Sequence, residues 1–93
     1  MPLSTHQRDL LSLVAKSTTP VAMSGFFETI NPPAPGLNED HPDHPAWTER
    51  QLALYGVSLE LWRQGLVRVV TPADGSNPDL VEATSAGLAA LAH

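Results

Sequence analysis

Apolar residues along this chain fall into helical rhythm near the start and in the middle, and into strand rhythm near the end. Leu10, Leu11 and Val14 stand at helical spacing behind Ser4-x-x-Gln7, a capping-box pattern, which predicts a helix from about Thr5 to Lys16. Thr18-Thr19-Pro20 breaks it. Met23, Phe26, Phe27 and Ile30 follow the i, i+3, i+4, i+7 rule and predict a second, shorter helix that Asn31-Pro32-Pro33 stops, with Gly25 weakening it. Near the end, Leu66 to Thr71 and Leu80 to Thr84 are two β-runs joined by the turn-rich Pro72 to Asp79, which together predict a hairpin. Gly75 and Asn77 are the tip residues expected to supply positive φ. A short last helix, Ser85 to Leu91, follows.

Ala46 to Gln64 predicts the longest helix, and its pattern has two apolar faces. Leu52, Tyr55, Leu59, Trp62 and Leu66 step by 3, 4, 3 and 4 along one stripe. Leu54, Val57 and Leu61 fall on the opposite side, with Trp47 nearby. One face must cover the core. The other is either folded over by the first helix, the second helix or the long loop, or left open as a docking surface for a second copy or another protein. The reading assigns the core to the first stripe and the candidate partner surface to Trp47, Leu54, Val57 and Leu61. A helix-turn-helix parse breaking at Gly56 would leave only Ser58 to Gln64 for recognition, too short for a major groove, and the unbroken stripe favours one continuous helix.

Between the second and third helices, residues 31–45 are rich in Pro and acidic groups and have no apolar rhythm. A loop this long is uncommon inside a compact domain. His41, Asp43 and His44 within it are a candidate metal site, since imidazole and carboxylate are both ligands and His-x-x-His can present two nitrogens to zinc or nickel. The competing reading is a polar loop in which Asp43 or His44 caps the next helix, with Pro45 in its first turn.

Composition narrows the function. Ninety-three residues predict one domain spanning 1–93, and the 42% hydrophobic content suffices for a modest core. With no Cys there is neither a disulfide framework nor a thiol nucleophile, which fits a reducing cytoplasm. No stretch reaches the length of a membrane span, and Met1-Pro2-Leu3-Ser4-Thr5 lacks the features of a signal peptide, so no membrane partner is expected. No nucleophile elbow, phosphate-binding loop or cofactor motif is present, so neither an enzyme nor a cofactor is expected. The net charge of −5 disfavours phosphate neutralisation, because Arg8, Lys16, Arg50, Arg63 and Arg68 are scattered.

The order helix, Gly65, apolar strand, turn-rich tip, strand, Thr84-x-x-Gly87, helix resembles the C-terminal half of winged-helix transcription regulators, the MarR-like and PadR-like proteins among them. The resemblance covers roughly Trp47 to Leu91. It implies an α+β, mostly helical, winged-helix-like fold: three helices, then a two-stranded β-hairpin wing and a short C-terminal helix. It also implies a link to gene regulation. The chain departs from that family in its Pro-rich loop before the third helix, and in having Asp74, Asp79 and Glu82 where a wing usually carries basic residues. The expected function is therefore a non-enzymatic regulatory or adaptor module acting through protein contacts, as a homodimer or with another protein. The alternative is a dimeric DNA-binding regulator using Arg50, Arg63 and Arg68.

Overall fold

The structure, a computed structural model, describes residues 3–92. Helix α1 spans Thr5–Lys16 and begins at the predicted capping box: the Gln7 amide donates to Ser4 Oγ at 3.2 Å, and the Ser4 amide to Gln7 Oε1 at 2.8 Å. A 3-10 turn, Met23–Phe26, runs into helix α2, Phe27–Ile30. Helix α3 covers His44–Arg63 without a break at Gly56, with Pro45 in its first turn. Asp43 holds the N-cap position, but its side chain makes no capping bond.

Strands β1, Val67–Thr71, and β2, Leu80–Ala83, form the antiparallel hairpin, with Val69 opposite Val81 and an irregularity between Val69 and Thr71. The outer side of β2 is met by Val21, which exchanges backbone bonds of 3.0 and 2.8 Å with Val81. Helix α4, Ser85–Leu91, closes the chain. The described residues are thus α+β, with four α-helices and a two-stranded hairpin.

The end of α3 decides which of its faces turns inward. Gly65 adopts φ 71°, Leu66 N–H reaches Leu61 O at 3.0 Å and Gly65 N–H reaches Trp62 O at 3.0 Å, the two bonds of a Schellman motif. This turn takes Leu66 out of the Trp62 stripe and folds it back into the core beside Leu61. Leu10, Leu11 and Val14 of α1, with Phe27, Val67 and Val81, complete that core. The α3 side chains that join them are Leu54, 2% exposed, and Leu61, 0% exposed, with Val57 packed at the edge.

The core assignment of the two stripes is therefore corrected. Leu54, Val57 and Leu61 are covered within the chain, where α1 and α2 pack against α3. They do not form an open partner surface. The stripe expected inside is the one left outside.

The loop before α3 is built from tight turns. Leu37 N–H bonds Ala34 O at 3.0 Å, His41 N–H bonds Asn38 O at 2.9 Å, and His44 N–H bonds His41 O at 3.0 Å. Its base is clamped by the buried Asn31. The Asn31 Nδ2 donates to Trp47 O at 3.3 Å and to Gln51 Oε1 at 3.1 Å, and its Oδ1 accepts from Arg50 Nε at 2.9 Å. The Trp47 indole returns a bond to Asn31 O at 3.1 Å. Asn31→Ala removes the side-chain part of this clamp and should cost about 2 kcal/mol, a fall of roughly 10 °C in Tm for a domain of this size. Thermal unfolding followed by circular dichroism checks this, and a Tm within about 2 °C of the unaltered chain would show that the clamp contributes little.

Candidate protein-interaction surface

The outward face of α3 carries four large apolar side chains: Leu52 at 66% exposure, Tyr55 at 56%, Leu59 at 39% and Trp62 at 54%. They sit at i, i+3, i+7 and i+10, which is the spacing of a single helical stripe. Val69 of β1, also exposed, extends the apolar surface onto the hairpin.

Tyr55, Leu59, Trp62 and Val69 line an open groove of about 350 Å³, whose other wall includes Met23, Phe27 and Val81. Two of its polar side chains are engaged within the chain. The Ser58 hydroxyl donates to Tyr55 O at 2.6 Å, and Asp79 accepts from the Ala73 amide. A nucleophile paired with a base is not found among these lining residues.

The hairpin tip is held by its own carboxylates. Asp74 Oδ1 accepts from the amides of Ser76 and Asn77 at 2.9 and 2.8 Å, and these bonds lower its pKa below the ordinary aspartate value. Gly75 supplies the positive φ of 90°, whereas Asn77 does not adopt one. The acidic character of the tip thus serves the turn itself.

Each of the candidate nucleic-acid residues has an acidic or amide acceptor close by. Arg50 is spent on Asn31, Arg63 pairs with Glu60 at 3.8 Å on α3, and Arg68 pairs with Glu82 across the hairpin. Trp47, expected at a partner surface, is half-buried and bound to Asn31.

Of the candidate metal residues, His41 and Asp43 come together, with Nδ1 and Oδ2 4.0 Å apart, but the three do not gather as one set. His41 Nδ1 accepts from the Asp43 amide at 3.0 Å, and the His44 ring leans on Trp47 with centroids 6.2 Å apart. Among the described residues, no three His, Cys, Asp or Glu side chains gather closely enough to hold a metal ion.

Sequence reasoning found the Leu52–Tyr55–Leu59–Trp62 stripe but gave it the wrong environment. The signal that could have corrected it is Gln64-Gly65-Leu66: a glycine stop before Leu66 removes the stripe's last member from the helix. The contribution of Met23, Phe27 and Val81 to the groove has no local signal, since it depends on how α2 and the hairpin meet. Comparison with protein-family models, curated proteins and solved structures returned no match. Among the described residues no helix is long and apolar enough to cross a membrane.

Proposed function

We propose that this chain is a non-enzymatic, winged-helix-like regulatory or adaptor module that acts through protein contacts on the outward face of α3. The exposed Leu52–Tyr55–Leu59–Trp62 stripe beside an apolar groove carries this reading. Large apolar patches of this kind, with aromatic anchors, are characteristic of interaction sites.

The order of elements supports the winged-helix comparison. A long third helix leads through a glycine turn into a hairpin, and Val21 bridges the hairpin's second strand. In a DNA reader of that class, the outward face of the third helix would carry groups able to bond base edges. Here that face is Leu, Tyr, Leu and Trp, and the net charge is −5.

Two measurements test the reading together. A photo-crosslinking amino acid at position 55 should capture one protein of defined mass in native cells, while the same group at the exposed position 16 should not. Anisotropy of a labelled random duplex should stay flat at low salt. Salt-sensitive duplex binding at micromolar protein, with no position-specific crosslink, would overturn the proposal in favour of a DNA regulator.

A further inference from the structure

We infer that the partner on this face is a second copy of the same chain, with the two α3 helices packed antiparallel across a two-fold axis beside Gly56. The inference rests on the reading of this face as a protein contact and goes on to name the occupant.

Gly56 is the first observation. It lies in the middle of α3, is exposed, and a Cβ built there would have no atom within 4 Å. Nothing among the described residues requires glycine at this point, yet glycine in a helix interior costs about 1 kcal/mol relative to alanine. It forms a notch on the edge of the apolar stripe, where a second backbone can approach closely.

The charges around that notch are self-complementary in one orientation. Glu49 and Arg63 stand seven residues before and after Gly56, nearly two helical turns each way, so both lie on its side of the helix. Both are exposed. An antiparallel pair centred here sets Glu49 of each copy beside Arg63 of the other, so the contact occurs twice. A parallel pair would place Glu49 against Glu49. The same axis sets Leu52 of one copy against Leu59 of the other and brings the two Tyr55 rings near the centre.

The existing contact of Arg63 is weak, and the opposing net charge is screened. Among the described residues Arg63 pairs with Glu60 through an exposed i,i+3 contact at 3.8 Å, a class of contact worth little. Repulsion between two copies of charge −5 is screened beyond about 8 Å at physiological salt, which leaves the local pairs and the apolar stripe to decide.

Sedimentation equilibrium of the full chain tests this. The unaltered protein should be a dimer at micromolar concentration. Leu59→Glu and Gly56→Gln should each give a folded monomer, the fold being read by circular dichroism. Glu49→Arg alone and Arg63→Glu alone should each weaken the dimer about tenfold or more, since two attractive pairs become repulsive. The two changes combined should restore the dimer to within about threefold of the unaltered affinity, because the pairs re-form with exchanged signs. A monomer at every concentration overturns the inference, as does a dimer indifferent to Leu59→Glu or a charge exchange that fails to restore it. A monomer whose position 55 crosslinks a different protein removes the second copy as occupant but leaves the protein-contact reading standing. A monomer that crosslinks nothing and binds duplex DNA removes both.

Discussion

Leu61→Glu is expected to abolish the cooperative thermal transition, while Leu59→Glu, two residues earlier on the same helix, keeps it within a few degrees of the unaltered chain. Leu61 is wholly enclosed by the core that includes Leu10 and Leu11 of α1. Losing its burial costs about 2–5 kcal/mol by comparison with large-to-small core changes. Placing a carboxylate there adds several kcal/mol more for desolvation. The total reaches the roughly 5–15 kcal/mol that stabilises a typical domain. A buried Glu also has its folded-state pKa raised above the unfolded value. Its penalty is therefore greatest at neutral pH and is relieved as pH falls through the folded pKa toward the unfolded one, so residual structure should recover in mild acid. Leu59 faces solvent over the groove, where a carboxylate remains hydrated. Circular dichroism on both variants makes the comparison, and the opposite result would return Leu54 and Leu61 to the role of an open surface.

Gly87→Ala is expected to lower Tm by more than about 10 °C, although alanine normally strengthens a helix. A Cβ at position 87 would stand 2.1 Å from the Leu66 carbonyl oxygen and 3.3 Å from Leu11 Cδ1. The first obstacle is backbone, and that backbone is fixed from several sides. Leu66 O accepts from Thr84 N–H at 3.0 Å, and Thr84 Oγ1 donates to Gly65 O at 2.6 Å while accepting from Gly87 N–H at 3.1 Å. Relief requires α4 to lift away from the α3 terminus, which disturbs all three bonds and opens the core beside Leu11. Overpacking costs about 1–3 kcal/mol where side chains can adjust, and a backbone obstacle belongs at the upper end. A small change in Tm would mean that α4 rests only loosely on the Gly65–Leu66 turn.

Local signals in the sequence located the elements well. Ser4-x-x-Gln7 placed the start of α1, Asn31-Pro32-Pro33 the stop of α2, and the Pro72–Asp79 segment the hairpin tip, because capping and turn chemistry act over three or four residues. The orientation of α3 was not legible in the same way. With apolar residues on two faces, its rhythm cannot say which side α1 will cover, and that depends on the Schellman turn and on contacts between distant segments. The Asn31 clamp was hidden for a related reason, since its partners Trp47, Arg50 and Gln51 lie 16 to 20 residues away. Charge suggested a protein contact, but the residues assigned to it stood on the opposite face of the helix.

The clamp at Asn31 has a consequence for how this chain could vary. It joins the end of α2 to the first turns of α3, so the ends of the intervening segment are held together independently of what lies between them. For a flexible segment, closure then depends only logarithmically on length, at about 0.6 kcal/mol for each doubling. Residues could be added or removed there without shifting the register of either helix. The segment is in effect an insertion port, a place where evolution or a designer could append a second recognition element while the groove-bearing scaffold stays as it is.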